Sequence, residues 1–256
     1  MTNALAKAIA AGEMDVWYQP QIASTTLRIA GFEALARWNH PERGCIGPDE
    51  FLDQSEECIE DLAAFVLARA CSDAAHWPGL VVGVNVAPHQ FAHSAFPDDI
   101  AAIAAAAGLS LDHLELEILE NAALENPDAA RAVMTRLRQM GVRIAIDDFG
   151  QGYSREFLRL DLPVSKIKLA RSIVTDPTAS DWIREFVRMA HTIGMEITAE
   201  GVETQAQALT MQTAGCDYMQ GYFFARPSPG RDVMRALTGG GAKSPSADTS
   251  PSAEES

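Results

Sequence analysis

The sequence predicts an α/β barrel, in which mainly parallel strands form a closed sheet surrounded by helices. Three observations support this prediction. Short apolar runs alternate with helical segments about eight times, which is typical of a (β/α)8 barrel. The chain has 256 residues, a common length for this fold, and 47% of them are hydrophobic. No GxGxxG motif follows a predicted strand, so a doubly wound open sheet is the less favoured alternative.

The predicted elements follow one another in a regular order. Strands are predicted where apolar or β-branched residues run together or alternate with polar ones, and helices where apolar residues recur every three or four positions. Gly108, Gly141 and Gly194 follow predicted helices, where a left-handed residue is favoured. The predicted strands are residues 15–22, 27–38, 80–86, 114–119, 142–147, 166–169, 196–199 and 218–224, and the predicted helices are residues 1–13, 49–77, 98–107, 128–140, 181–193 and 205–213.

The composition divides the chain into one large domain and a tail. Residues 1–238 contain all the predicted elements and are expected to form a single barrel. Residues 239–256 read GGGAKSPSADTSPSAEES. Because this stretch is small, polar and proline-bearing, it is predicted to be a disordered tail.

The charge of the chain excludes one class of partner. The formal net charge is −15 and the pI is about 4.7, and no basic stripe is present, so general binding to duplex DNA or RNA is not expected. An acidic protein binds a phosphorylated small molecule when metal ions supply local positive charge.

The sequence predicts a cytoplasmic location. No apolar run approaches the ~18 residues of a membrane span, and the first residues lack the basic start and apolar run of a signal peptide. Cys58 and Cys71 lie in helical sequence without a CxxC partner, and both are expected to be core thiols in a reducing compartment.

The strongest functional signal is a pair of adjacent acids at the end of a predicted strand. Asp147 and Asp148 end the short apolar run Ile144-Ala145-Ile146, and Gly150 follows them. A carboxylate removed from water needs a partner, and the usual partner for two acids side by side is a divalent cation. Two solvated acids that open a surface loop are the alternative for this segment taken alone.

Polar side chains also occur at or near the carboxyl ends of the other predicted strands, where functional groups gather in a parallel barrel. The set is rich in carboxylates with one amide, which are the oxygen ligands that Mg²⁺ or Mn²⁺ prefers. Two such ions ~3.5–4 Å apart would activate a water and neutralise a phosphodiester, with Lys168 orienting the water and Arg37 holding a phosphate oxygen. The set comprises Glu33, Arg37, Asn85, Glu117, Glu120, Asp147, Asp148, Lys168, Glu200, Glu203 and Gln220.

Several members of this set have simpler interpretations when taken singly. Glu115 and Glu117 alternate with leucines, a pattern that a strand with one solvated face also produces. Lys166 and Lys168 alternate in the same way, and one of them is expected to be only a surface charge. Asn85 lies inside a β-branched run and needs a polar partner. The coincidence of these residues at successive strand ends favours a functional site.

Taken in order, these motifs resemble those of the EAL-domain phosphodiesterases, which hydrolyse cyclic diguanylate (cyclic di-GMP). The resemblance extends over residues 13–230, nearly the whole predicted domain. Its motifs are Tyr18-Gln19-Pro20, Glu33-Ala34-Leu35 with Arg37-Trp38, Val84-Asn85-Val86, Glu117 through Glu120, Asp147-Asp148-Phe149-Gly150, Lys168, Ala199-Glu200-Gly201-Val202-Glu203-Thr204 and Gln220-Gly221-Tyr222.

The resemblance implies a modified (β/α)8 barrel, similar to a TIM barrel, whose first strand is antiparallel. It implies hydrolysis of one phosphodiester to linear pGpG with two Mg²⁺ or Mn²⁺ ions. It also implies a homodimer and a longer protein with an N-terminal sensor or cyclase domain. By motif match, the metal ligands are Glu33, Asn85, Glu117, Asp147 and Asp148; the catalytic residues are Lys168, Glu200 and Glu33; Gln19, Arg37, Glu203 and Gln220 hold the substrate or support the ligands; and Glu120 braces the loop after Asp148.

Two departures from the family pattern leave a second function open. The family usually reads Lys-Ile-Asp at the sixth strand, whereas this chain reads Lys168-Leu169-Ala170. The loop after the acid pair usually reads DDFGTGYSSL, whereas residues 147–156 read DDFGQGYSRE. The favoured function is a working phosphodiesterase. The alternative is a weakened or inactive domain that binds cyclic di-GMP and signals through a protein partner.

Overall fold

The computed structural model describes residues 4–51, 57–87, 90–91, 93–119, 127–150 and 162–238, with the side chains of residues 57–59 excepted. Its strands join into one sheet. They are β1 (Met14–Ala23), β2 (Ile29–His40), β3 (Gly44–Ile46), β4 (Val81–Asn85), β5 (Leu114–Leu119), β6 (Arg143–Phe149), β7 (Lys166–Leu169), β8 (Glu196–Ala199), β9 (Tyr218–Met219) and β10 (Ser228–Pro229).

The sheet closes into an eight-stranded barrel through β1. This strand pairs antiparallel with β2, where Gln19 lies opposite Glu33, and with β9, where Ile22 lies opposite Met219. All pairings from β2 through β4, β5, β6, β7 and β8 to β9 are parallel. The predicted barrel with an antiparallel first strand is therefore confirmed, and the open-sheet alternative is wrong.

Helices precede or connect most of the strands. The helix Gln205–Ala214 begins with a capping box, in which the Thr204 side chain accepts from the backbone N–H of Gln207 while the Gln207 side chain accepts from the backbone N–H of Thr204. Within the ranges described, no helix is both long and apolar enough to cross a membrane. The helices are α1 (Ala4–Ala10), α2 (Glu57–Ala74), α3 (Phe96–Ala107), α4 (Pro127–Gln139), α5 (Arg171–Val174), α6 (Ser180–Thr192), α7 (Gln205–Ala214) and α8 (Gly230–Thr238).

Some predicted boundaries are wrong. The last predicted strand, 218–224, ends at Met219. Beyond it, the backbone bonds to the loop after β8, since Val202 N donates to Gln220 O and Phe223 N donates to Val202 O, both at 3.0 Å. The helix predicted over 49–77 begins as α2 at Glu57 after a 3₁₀ turn at Pro48–Glu50. Residues 52–56 and the predicted tail, 239–256, lie outside the described residues.

The interior of the barrel is polar, whereas its outer layer is apolar. Lys166 Nζ lies 2.8 Å from Glu115 Oε1, and Lys168 Nζ lies 2.5 Å from Glu117 Oε2. Strand β6 separates β5 from β7, so these pairs meet across the interior. All four side chains are buried. The expectation that one lysine is a surface charge is therefore wrong, and so is the solvated-face alternative for β5, because both faces of a barrel strand are covered.

The predicted core thiol Cys71 is buried and free. Burial raises its pKa to about 11, which keeps the thiol protonated near neutral pH. The side chain of Cys58 is outside the part of the chain that the structure describes.

Candidate active site

A cleft of about 280 Å³ opens at the carboxyl ends of the parallel strands. This is the end of a parallel barrel at which functional groups collect. Most of the predicted site residues line it. The lining residues are Gln19, Glu33, Asp147, Asp148, Arg171, Glu200, Gly201, Glu203, Gln220, Gly221 and Tyr222.

Three carboxylates converge at the base of the cleft. Glu33 of β2, Glu117 of β5 and Asp147 of β6 each contribute an oxygen atom, and these atoms lie within 4.8 Å of one another. Glu117 is fully buried. A Cβ atom at Gly83 would overlap its carboxylate, so glycine on the neighbouring strand makes room for this side chain.

Amide side chains hold both oxygens of Glu33. Asn85 Nδ2 donates to Glu33 Oε1 at 2.9 Å. Gln220 Nε2 donates to Glu33 Oε2 at 2.5 Å and to Gln19 Oε1 at 3.1 Å. These contacts bring four of the predicted residues together and fix the orientation of the Glu33 carboxylate. Asn85 uses its amide nitrogen for this purpose, which leaves its carbonyl oxygen for a cation.

Lys168 lies at the centre of the acidic cluster. In addition to Glu117, its Nζ lies 2.7 Å from Glu200 Oε1, 2.9 Å from Asp147 Oδ1 and 3.4 Å from Glu33 Oε2. Burial lowers the pKa of Lys168, but the surrounding carboxylates outweigh burial and hold this pKa well above its usual value. The ammonium group is therefore charged, and four carboxylates share it.

The surplus of carboxylates makes the site a good host for cations. Burial raises the pKa values of Glu117 and Glu200 well above the usual value of 4.5; Lys168 opposes this rise, while Glu33 and Asp147 add to it. Glu117 Oε1 is also buried and has no hydrogen-bond partner among the described residues. Buried acceptors of this kind are satisfied by a proton or a metal ion. The residues present therefore fit a divalent cation with oxygen ligands.

A bulge explains how two adjacent acids line the same cleft. Successive residues of a regular strand point to opposite faces. In β6 the register shifts between Ile146 and Phe149, and Asp148 has a left-handed φ of 53°. The bulge breaks the alternation, so Asp147 and Asp148 both reach the cleft. A left-handed conformation is unfavourable for residues other than glycine, although aspartate tolerates it better than most.

The positions of two arginines bear on how the cleft could hold a phosphate. Arg37 is absent from the residues that line the cleft; its guanidinium carbon lies 5.7 Å from the ring centroid of Trp17, and NH1 donates to Ala36 O at 2.7 Å. Arg171, which sequence reasoning missed, lines the cleft and pairs with Glu203 at 2.7 Å. Its position two residues after the end of β7 is the signal that could have revealed it.

Position 170, where the family usually has an aspartate, lies beside the bulge. Ala170 is fully buried, and its backbone N–H donates to Phe149 O at 3.1 Å. It is also the N-cap of α5, which lacks a side-chain cap. Two other predicted features, Glu120 and the loop of residues 151–156, lie outside the described residues.

Comparisons with known proteins agree with this geometry. The family model of the EAL domain matches residues 2–227. The chain is 35% identical to the cyclic di-GMP phosphodiesterase NbdA of Pseudomonas aeruginosa, over 90% of this chain and 31% of that protein. The chain spans about a third of the length of three curated relatives that it matches.

Two solved structures illustrate the structural similarity. The PaMucR phosphodiesterase in complex with c-di-GMP superposes with a TM-score of 0.83 at 33% identity, covering 90% of this chain and 97% of that chain. The manganese and cy-diGMP complex of Klebsiella pneumoniae BlrP1 gives a TM-score of 0.76 at 27% identity, covering 85% of this chain and 57% of that chain.

Proposed function

The chain belongs to the EAL domain family, and we propose that it is a metal-dependent phosphodiesterase that hydrolyses cyclic di-GMP to linear pGpG. The observation that carries this proposal is the convergence of Glu33, Glu117 and Asp147 around Lys168 at the functional end of the barrel. A relative named as a cyclic di-GMP phosphodiesterase and a similar solved structure with c-di-GMP support the choice of substrate.

The proposed cofactors are two Mg²⁺ or Mn²⁺ ions. Their ligands would be Glu33, Asn85, Glu117, Asp147 and Asp148, whose oxygens suit such ions. The four carboxylates around a single ammonium leave negative charge that two divalent cations would neutralise. When bound, ions of this kind lower the pKa of a water ligand and offset charge on the phosphodiester.

The protein side chains would orient the water and accept its proton. Glu200 lies next to Lys168 and lines the cleft. Its carboxylate is therefore the proposed acceptor of the water proton. Lys168 donates hydrogen bonds that hold the attacking water or a phosphate oxygen, and Gln19 and Gln220 hold the substrate. The roles of Arg37 and Glu120 stay predictions from the sequence.

The test is a direct assay of hydrolysis. The purified chain is incubated with cyclic di-GMP and Mg²⁺ or Mn²⁺, and pGpG is followed by chromatography. We expect metal-dependent formation of pGpG, and we expect Glu33→Gln, which keeps the size of the side chain but removes its charge, to abolish it. Binding without product over a wide range of metal concentrations would eliminate the enzyme function.

The alternative is a receptor that binds cyclic di-GMP and acts on a protein partner. The observation that favours it is the buried Ala170, which replaces a carboxylate beside the bulge. Loss of a residue that supports metal ligands typically lowers metal affinity or activity about 10- to 100-fold. Such a loss weakens an enzyme without abolishing it, so hydrolysis is the favoured function.

The wider biological setting is also a proposal. Because the chain spans about a third of its curated relatives, we infer a longer protein with an N-terminal sensor or cyclase domain. We further propose a homodimer and a cytoplasmic location for this domain. Size-exclusion chromatography with light scattering, with and without cyclic di-GMP, tests the dimer.

A further inference from the structure

The lining of the cleft carries a marked excess of negative charge. Its acids are Glu33, Asp147, Asp148, Glu200 and Glu203, whereas Arg171 is the single cation among the lining residues that the structure describes. The Arg171 side chain is 64% exposed. It therefore presents a guanidinium at the rim of the cleft, where a ligand can reach it.

The position of Arg171 is fixed from two sides. Its NH2 lies 2.7 Å from Glu203 Oε1, and the backbone of Glu203 is itself held, since its N–H donates to Gln207 Oε1 at 2.8 Å. The stem of Arg171 lies against Gly201, where an added Cβ atom would overlap Arg171 Cβ and Cγ. The loop after β8 thus holds the Arg171 side chain in place.

A cyclic dinucleotide presents two anionic phosphodiesters. If one of them lies at the metal-binding acids, the other must lie elsewhere in a cleft whose charged lining residues, among those described, are all acidic apart from Arg171. Guanidinium groups suit such an anion because they offer five donors in a planar fork. The Glu203 contact uses NH2, and the other nitrogens of Arg171 provide further donors.

We propose that Arg171 is a substrate-binding residue that holds the phosphodiester that is not hydrolysed, with Glu203 as its positioning residue. This inference rests on the proposed function and deepens it. Arg171 would also give the cleft a cationic side chain that can bind a phosphate, since Arg37 does not line the cleft. An exposed ion pair contributes little to stability. A role of Arg171 limited to folding would therefore not account for its contacts with Gly201 and Glu203.

The test compares Arg171→Ala and Arg171→Lys with the wild-type chain. Steady-state kinetics give kcat and KM, and calorimetry gives the Kd for cyclic di-GMP with Ca²⁺ as the ion, with pGpG measured in the same samples. We expect Arg171→Ala to weaken binding about 10- to 100-fold, because a charge-assisted hydrogen bond is lost, while kcat changes less than about threefold. Arg171→Lys should lie between the two, because it keeps the charge without the fork.

Arg188→Ala provides a matched control. Arg188 is exposed on α6 and pairs with Glu185 at 2.6 Å, so its loss removes a similar ion pair away from the cleft. This variant should leave both Kd and KM unchanged. Melting temperatures and Mg²⁺ affinities of all variants should match those of the wild type. If Arg171→Ala does not fold, Arg171→Lys carries the test, because weaker binding at an unchanged melting temperature is still required.

The outcomes separate the two proposals. A wild-type chain that neither binds nor hydrolyses cyclic di-GMP overturns the proposed function and this inference with it. A wild-type chain that binds, with an Arg171→Ala variant of equal affinity, overturns the inference alone. Loss of Mg²⁺ affinity or a lower melting temperature in parallel with the loss of binding would assign Arg171 a structural role and would also overturn it.

Discussion

Lys168 and Glu117 form an ion pair across the interior of the barrel, with both side chains fully buried and their charged atoms 2.5 Å apart. The charges at this site are not balanced, because Glu33, Asp147 and Glu200 also approach the ammonium group of Lys168. Two residues earlier on the same two strands, Lys166 and Glu115 form a second buried pair. The two pairs have similar chemistry but different surroundings, which makes them useful controls for each other.

Replacing Lys168 should destabilise the protein, because the negative charge of the acidic cluster is then no longer offset by an ammonium group. Lys168→Met leaves four carboxylates without their shared cation, and loss of one partner from a buried pair typically costs about 3–5 kcal/mol. We expect Mg²⁺ or Mn²⁺ to restore part of the lost free energy of unfolding, measured by chemical denaturation with metal or with a chelator. Lys166→Met, which affects the pair outside the acidic cluster, should be destabilised but should gain no more stability from metal than the wild type does. Equal rescue of both variants would contradict this prediction.

Metal binding should release protons and should strengthen as the pH rises. The pKa values of Glu117 and Glu200 lie well above 4.5 in the metal-free protein, so protons compete with the cation above that pH. Raised pKa values also mean that the folded state binds these protons more tightly than the unfolded state. Without metal, the free energy of unfolding should therefore fall as the pH rises from 4.5 through the raised pKa values of Glu117 and Glu200. Calorimetry of Mg²⁺ binding in buffers with different ionisation enthalpies measures the proton release, and pH-independent binding would refute it.

Two substitutions at Asp148 should separate the effect of its left-handed backbone conformation on stability from the effect of its carboxylate on metal binding. Asparagine tolerates positive φ, whereas alanine does not. We expect Asp148→Asn to be as stable as the wild type, and Asp148→Ala to lose about 1 kcal/mol or more of unfolding free energy. Both variants should lose most of their metal-dependent activity. Full activity of Asp148→Asn would remove Asp148 from the ligand set.

Restoring an acid at position 170 should strengthen the site. Ala170→Asp is expected to raise activity or tighten metal binding, by up to about 10- to 100-fold if the missing group supports the ligands. The same variant should cap α5, an effect that is typically worth about 0.5–2 kcal/mol. Ala170→Asn is the matched control, because it supplies the cap without the charge. A gain in activity that is equal in both variants would assign the effect to the helix.

Gly83 should be essential for the position of Glu117. In Gly83→Ala the added methyl group would overlap the Glu117 carboxylate, which we expect to displace this side chain and weaken metal binding at least about tenfold. Gly47→Ala serves as the control, since a Cβ atom there meets no atom of the described residues within 4 Å, apart from its own chain neighbours. Metal titration of both variants measures the difference, and equal affinities would show that Glu117 moves without consequence.

The sequence predicts the acids at the strand ends because their signal is local. Apolar runs that end in Asn85 or in Asp147 and Asp148 mark strand termini, and parallel topology brings those termini together. The order of the motifs also predicts the antiparallel first strand, through the resemblance to the family.

Features that depend on closure of the sheet are harder to predict. Alternation cannot distinguish a strand with a solvated face from one whose polar face lines a barrel, so the burial of Lys166 was not foreseen. The bulge at Asp148 leaves no separate mark in the sequence, since Asp-Asp is compatible with a regular strand end. Arg171 was missed because a charged residue at the start of a helix is common. Its place just beyond a strand end is a weak sequence signal, which its contacts with Gly201 and Glu203 strengthen.

The reversed direction of β1 determines where the polypeptide joins the barrel. In a fully parallel barrel, the first strand would begin at the end opposite the cleft. Here Met14, at the start of β1, pairs with Trp38, which lies beyond Glu33 in β2. The chain leading into β1 therefore reaches the sheet at the end where the cleft opens, and the hairpin between β1 and β2 lies at the far end.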